Sequence, residues 1–345
     1  MQDKIITHLN FAKGFRGGER QTLLLIEELS RRGYRQKIIT RKNSEFVKRL
    51  TGISNLKIIK ISKPYLFHLN VIKDTFLLHA HETKAAQFAY FAHLIYGVPY
   101  IVTRRVNNPI KNNFFNKKIY TKANYTIVLS HAIKNQVFKI SKETNIKIIP
   151  DAYSQLEMSE SNIEGLKQRF ANKFIIGCIG ELESAKGQYY LIEAMKKIQI
   201  NYPNIHLIFL GRGKDEKNYK EQSKDLDNIT FEGFVDNVGD YIHIFDLFVF
   251  PSLNEGLGSI LFDVMQANVP IVASDVGGIP DIIQNEENGL LVAIRESEAI
   301  YLAIERLYLD ANLRKKLSDK AFENIENFSF MKMTDGYEDI YKEVL

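Results

Sequence analysis

The sequence predicts an α/β protein built from two doubly wound, Rossmann-like domains facing a central cleft. Three observations carry this. Short β-rich runs alternate with helix-like stretches of about 10–15 residues, the pattern of βαβ units on a parallel sheet. The alternation breaks once, over a polar stretch in mid-chain, and then restarts. The chain of 345 residues is long enough for two domains with separate cores.

The first strand-like run is "KIITHLNF", followed by the amphipathic stretch "GERQTLLLIEELSRRG". "QKIIT", "LKIIKI", "FLLHAH", "YIVTR", "YTIVLS" and "IKIIP" follow, each separated by a helical or loop stretch. "DAYSQLEMSESNIEGLKQRFANK" is polar, carries Ser, Asn and Glu, and lacks a strand-like run; the linker is placed there. After it come "FIIGCIG", the helical "QYYLIEAMKKIQINYP", and the runs "IHLIFLG", "ITFEGF", "LFVFPS", "PIVAS" and "GLLV". The tail from "ESEAIYLAIERL" onward reads as helix throughout. The expected domains are residues 1–155 and 156–328, with a last helix at about 329–345 packing back on the first domain.

An apolar fraction of 45% and a charged fraction of 25% are those of a soluble globular protein. One cysteine, Cys178, excludes an internal disulfide and a cysteine zinc cluster. It lies in "FIIGCIG" and reads as a buried, inert thiol, which fits a cytoplasmic protein. The start has no secretory pattern, and the longest apolar run, "AAQFAYFAHLIYGVPYIV", is interrupted by Gln87, His93, Gly97 and Pro99, against a membrane span.

The net charge of +5 hides an asymmetry: residues 1–150 hold 27 Lys and Arg against 8 Asp and Glu, and residues 151–345 hold 19 against 33. A basic half suits nucleic acid, an anionic membrane face or an anionic acceptor. It lacks a recognition helix or an aromatic RNA-binding motif, so no nucleic-acid partner is expected.

Ligands of open α/β sheets sit at the carboxyl ends of the strands, and glycine-rich stretches follow several of these ends. "AKGFRGGERQ" places Gly14, Gly17 and Gly18 before a helix expected to begin near Glu19. It is neither a dinucleotide fingerprint nor a Walker P-loop. "ELESAKGQYY" places Lys186 and Gly187 before a helix, where lysine is a point charge for a phosphate. "LNEGLGSILFD" puts Glu255 in a loop and Asp263 early in a helix whose start exposes the amides of Gly258, Ser259 and Ile260 to a diphosphate. "DVGGIPD" adds Gly277 and Gly278 at the next strand end. There is no DxD in a fitting place, no HExxH and no Cys/His spacing, so no metal is expected.

The order "KG" before a helix, "GRG", "FPSLNEGLGSILFD", "PIVASDVGGIPDII" and "NGLLV" resembles the retaining glycosyltransferases of GT-B fold, glycosyltransferase family 4. The match is most specific from Phe174 to Val292 and looser over the whole chain. The resemblance implies a retaining, metal-independent transfer of a sugar from a nucleotide-sugar donor, UDP-sugar being the commonest, to a saccharide acceptor. It puts the donor mainly on the C-terminal domain and the acceptor mainly on the N-terminal one. By it, Lys186 contacts the donor diphosphate, Glu255 lies near the transferred sugar, and Asp263 accepts hydrogen bonds from the ribose. Gly256, Leu257, Gly258, Ser259 and Ile260 line the diphosphate, Gly17 and Gly18 approach the donor phosphates, and Phe234 and Val235 lie by the base.

Three departures from the family pattern stand out. Asp263 replaces the commoner Glu. Glu181 stands where many members carry an arginine, which leaves Lys186 and helix amides to hold more of the diphosphate charge or implies an arginine supplied from elsewhere, such as Arg212. Arg104 and Arg105 end their strand where many members place a histidine, so these arginines, with Glu19 and His81, are expected to bind an anionic acceptor, Arg105 alternatively the donor phosphates. The basic half implies an acceptor that is lipid-linked or a lipopolysaccharide or lipooligosaccharide core, reached by peripheral contact with the inner face of the cytoplasmic membrane. A GT-B sugar-nucleotide epimerase and a non-catalytic binding subunit are the rival readings.

On one helix, the eight residues from Glu255 to Asp263 would rise ~12 Å. That exceeds the roughly 5–9.5 Å between paired glycosidase carboxylates. The two acids therefore read as grips on the two ends of one long ligand.

Overall fold

The computed structural model describes residues 4–154 and 156–344; Gln155, on which the expected domain boundary falls, lies outside them. The chain forms two compact units, Met1–Ala152 with Phe328–Leu345, and Tyr153–Asn327.

The first unit is a seven-stranded parallel sheet of β1 (Ile6–Asn10), β2 (Gln36–Arg41), β3 (Leu56–Ile61), β4 (Leu77–Ala80), β5 (Tyr100–Arg104), β6 (Tyr125–Val128) and β7 (Ile146–Ile148), ordered β3-β2-β1-β4-β5-β6-β7. The second is a six-stranded parallel sheet of β8 (Phe174–Ile179), β9 (Ile205–Leu210), β10 (Ile229–Gly233), β11 (Leu247–Phe250), β12 (Ile271–Ser274) and β13 (Leu290–Val292), ordered β10-β9-β8-β11-β12-β13. Helices cover both faces, so the central strands are buried on both sides and read as continuous apolar runs. β11 (LFVF) and β12 (IVAS) are buried at every residue. Edge strands differ: Lys57 and Lys60 on β3 and Lys147 on β7 are exposed, a pattern that discourages edge-to-edge pairing.

In each sheet the order reverses once, between β1 and β4 and between β8 and β11. Loops leaving such neighbours run to opposite sides and open a crevice at the carboxyl edge.

The polar mid-chain stretch is not a bare linker. It contains the helix Glu160–Arg169. Its start is tied to the second unit: Asp240 Oδ1 accepts from the Ser159 N–H at 2.7 Å and Asp240 Oδ2 from the Asn162 side chain at 2.9 Å. The boundary between the two units falls inside this stretch; its helix was not read from the sequence because it has few apolar residues and none buried.

The last helix, Phe330–Val344, belongs to the first unit. Met333, Thr334, Tyr337, Ile340 and Tyr341 are buried in it, spaced as one helical face. Four of them join Ile6, Leu25, Leu29 and Ile101 in one core. Each large apolar side chain buried this way contributes about 1.5–3 kcal/mol. At the rim, Arg32 donates to Asp335 at 2.6 Å and to Glu338 at 2.7 Å, and Tyr34 donates to Glu338 at 2.6 Å.

Burial alone would raise the Glu338 carboxyl, but hydrogen bonds from Tyr34, Arg32 and Lys342 outweigh it and bring the carboxyl down to about 2. A carboxyl lowered from 4.5 to about 2 adds stability that is fully present above 4.5 and lost as pH falls through about 2. Glu338→Gln is therefore expected to cost about 1–2 kcal/mol at pH 7. In thermal melts its gap from the parent protein should close between pH 4.5 and about 2; a gap that ignores pH would contradict this role.

Candidate functional site

In the second unit, β8 and β11 flank the reversal of strand order, and each is followed by one of the expected residues. After β8 a 3-10 turn, Ser184–Lys186, leads through Gly187 into the helix Gln188–Asn201. After β11 the loop from Pro251 to Ser259 carries Glu255 and precedes the helix Ile260–Gln266. Lys186 Nζ donates to Glu255 Oε2 at 2.6 Å, and Ser252 Oγ donates to the same oxygen at 3.3 Å. The lysine ammonium also lies 5.8 Å from the centre of the Phe250 ring. Both side chains keep a solvent-facing part, 29% for Lys186 and 17% for Glu255, so a ligand can reach them.

Backbone packing holds the Glu255 loop from two sides. Gly187 has φ +68°, and a Cβ on it would lie 1.9 Å from the Pro251 carbonyl oxygen. Gly277 has φ +61°, and a Cβ there would lie 2.0 Å from the Glu255 carbonyl oxygen. That carbonyl also accepts from the Gly278 N–H at 3.2 Å. Both glycines are thus required twice, by left-handed backbone and by the absence of a side chain.

The amides expected to be open are only partly so. Gly256, Leu257 and Gly258 are buried, and the Gly258 carbonyl accepts from the Leu261 N–H at 2.9 Å. Ser259 and Ile260 stay half-buried at the helix start, where backbone N–H groups lack intrahelical partners. Asp263 lies in the first turn, buried, and its Oδ1 accepts from the Ser154 N–H at 2.8 Å. It therefore anchors the segment entering this unit, a role sequence reasoning missed because the partner is a backbone group 109 positions away. On the far side of β8, Arg212 follows β9 and its guanidinium lies over Gly233 at the end of β10. Phe234 comes next and is 67% exposed, with Val235 half-buried beside it in sequence. Glu181 is exposed on the loop after β8. Cys178 is buried on β8 and burial pushes its thiol up to about 12.

In the first unit, the helix after β1 is Gly17–Arg31, so it opens at Gly17, before the expected Glu19. Glu19 serves its cap, accepting from the Arg16 N–H at 3.0 Å. Arg104 and Arg105 do not act as a pair on the surface. Arg104 ends β5 and Arg105 is the first residue after it, and the two side chains have different partners. Arg105 is ion-paired with Asp151 and packs against Gly18, with Tyr337 and Glu19 acting on its charge. Burial lowers its pKa. Arg104 reaches Tyr120.

His81 belongs to a buried polar layer that local sequence did not reveal. His8 and His79 are register partners on β1 and β4. One nitrogen from each of them and one from His81 lie within 4.8 Å of one another, a metal-like grouping. Hydrogen bonds account for most of them. Gln36 donates its amide to the Ile26 carbonyl, so its Oε1 accepts from His8 Nε2 at 3.0 Å. Neutral His8 then accepts at Nδ1 from His81 Nε2 at 3.0 Å. His79 is bonded at Nδ1 to Tyr341 and at Nε2 to Thr103, each at 2.7 Å. Burial lowers all three histidines, His8 to about 4, so the layer is neutral at pH 7. The chain of donors ends at His81 Nδ1, a buried lone pair without a partner. The "HAH" spacing could have shown two histidines on one face; the third needed the β1–β4 pairing.

Identical substitutions at two glycines are expected to have opposite signs. Gly277→Ala should destabilise by more than the roughly 1–2 kcal/mol of a left-handed alanine, because of the added clash. Gly165→Ala, in the helix Glu160–Arg169 with nothing near its missing Cβ, should stabilise by up to about 1 kcal/mol. Denaturant titrations check both; a neutral Gly277→Ala would contradict the clamp on the Glu255 loop.

Residues 161–324 match the family described as Glycosyl transferases group 1. The putative glycosyltransferase EpsD of Bacillus subtilis is 33% identical over 171 residues, which are 49% of this chain and 45% of EpsD, so the match spans less than half of that relative. The lipopolysaccharide core biosynthesis glycosyltransferase LpsE of Rhizobium meliloti is 24% identical over 96% of this chain and 97% of its own length. Among solved structures, HepE of Anabaena in complex with UDP superposes with a TM-score of 0.88 at 19% identity, covering 98% of this chain and 99% of HepE. Residues 161–324 thus carry the pattern of the group 1 glycosyltransferases, and the chain as a whole has a GT-B-like fold.

Proposed function

We propose that the protein is a retaining, metal-independent glycosyltransferase that moves a sugar from a UDP-sugar to a lipid-linked or lipopolysaccharide-type saccharide at the inner face of the cytoplasmic membrane. The observation that carries the donor half is the Lys186–Glu255 pair across the reversal of strand order in the second unit. Without ligand the two charges neutralise each other. A diphosphate would compete for the ammonium, and Glu255 would then turn to sugar hydroxyls. Ser259 and Ile260 amides would take phosphate oxygens, and the exposed Phe234 ring offers a face to the base.

In the transfer, the bond from the anomeric carbon to the diphosphate breaks with its electron pair passing to the leaving oxygen. The acceptor hydroxyl oxygen bonds to the same face of that carbon, and its proton passes to the departing diphosphate. Lys186 stabilises the charge that develops there. The acceptor half is supported by the basic composition of residues 1–150 and by the chain's similarity to LpsE, of lipopolysaccharide core biosynthesis, and to the Staphylococcus aureus capsular polysaccharide glycosyltransferase CapM; the donor half is supported also by the UDP and UDP-glucose bound to HepE. Among the described residues no helix is long and apolar enough to cross a membrane, so contact would be peripheral.

A thermal-shift panel of nucleoside diphosphates tests the donor assignment. UDP at about 100 times its Kd should stabilise the parent protein by about 2.7 kcal/mol, and Lys186→Ala should lose most of that. Lys186→Ala and Glu255→Gln should each lower turnover by about 10²–10³. Asp263→Asn keeps an oxygen for Ser154 and should preserve stability while weakening UDP about tenfold or more. The absence of a shift with any nucleoside diphosphate would overturn the assignment.

A further inference from the structure

Arg104 and the face of the sheet it turns to form a second site. On that side of β5, the helices Thr83–Tyr96 and Phe114–Lys122 border a cleft of about 440 Å³. This is a volume that holds a small ligand, and every residue lining it lies between 83 and 120, within the first unit. Arg104 forms part of its wall and is only 8% exposed. Its Nη1 donates to the Tyr120 hydroxyl at 3.4 Å and its Nη2 donates to the Asn108 carbonyl. Its Nε–H is buried with no acceptor. A charged donor left unmet in the interior costs free energy and marks a place where a ligand group belongs.

The charge around it has one sign. The lining contains Arg104 and Lys111 and no Asp or Glu. Lys111 is exposed, and its loop is fixed by Asn116, whose side-chain amide donates to the Lys111 carbonyl at 2.8 Å. The rest of the wall combines neutral amides, such as Gln87, with the Phe115 ring. Phe115 is held in place by edge contact with Tyr90 and a tilted contact with Phe91. Amides suit hydroxyl groups and a fixed aromatic face suits the C–H side of a sugar ring, while the two cations require an anion.

We propose that this cleft binds the carboxylate or phosphate of an anionic saccharide acceptor, with Arg104 gripping the anion from inside and Lys111 from the mouth. This deepens the acceptor half of the proposed function and rests on that reading. It also gives the two consecutive arginines separate tasks. Arg105 is ion-paired with Asp151 and does not line the cleft, and Arg104 does.

Calorimetry on the full chain, at low salt, tests it with three probes: a glucuronate-containing tetrasaccharide, mannose 6-phosphate and neutral cellotetraose. UDP is titrated into the same preparations. At least one anionic probe should bind and the neutral one should not. Lys111→Ala should weaken the anionic probe about tenfold and Lys111→Glu should abolish its binding, with UDP affinity unchanged in both. Arg104→Gln should also abolish it; if that variant does not fold, the exposed Lys111→Glu change decides. Equal binding of neutral and anionic glycans, no binding of either anionic probe, or unchanged affinity in Lys111→Glu would overturn the proposal. Failure of UDP to bind the parent protein would instead overturn the donor reading and leave the cleft result standing.

Discussion

The candidate site of the second unit centres on one contact, the ion pair of Lys186 and Glu255. It joins the loops after β8 and β11, the two neighbours at which strand order reverses. Parallel topology brings both loops to one edge and gives that edge a crevice. The pair alone would not fix the geometry, since a partly exposed ion pair is weak. Two glycines do that, pressing the backbone of Gly187 onto Pro251 and of Gly277 onto Glu255 with no room for a methyl group. A charged site of defined shape thus rests on close backbone contacts at Gly187 and Gly277.

The fold was legible because parallel sheets buried on both faces leave a strong record. Runs such as LFVF and IVAS have few alternatives, and the lysines of β3 and β7 mark edges. The mid-chain helix was not legible, because it has no fully buried residue and so no apolar stripe. The positions of Lys186 before its helix and of Glu255 in a loop were readable from glycine and strand-end patterns. Their contact across 69 positions was not. Asp263 shows the same limit: its place in the first helical turn was readable, while its hold on Ser154 depends on tertiary structure.

The first unit illustrates how sequence neighbours take different partners. Arg104 and Arg105 look like one basic feature in sequence, yet one joins the helices Thr83–Tyr96 and Phe114–Lys122 and the other joins Gly18, Asp151 and Tyr337. A period of two aligns His79 with His81, and strand pairing adds His8. Neutral histidines and a buried guanidinium share that layer, and the hydrogen-bond chain orients each ring. The +19 balance of residues 1–150 (27 basic against 8 acidic) is therefore not all solvated surface; Arg104 and Arg105 lie inside.

The proposed nucleotide-sugar site runs along the carboxyl edge of the six-stranded sheet, from Glu255 to Asp263. Hydrogen–deuterium exchange of the full protein with and without UDP measures this most directly. Protection is expected in the segments around Lys186 and Glu255 and through the first turn of the helix that carries Asp263. UDP binding that leaves these segments unprotected, or protects only segments of the first unit, would contradict it.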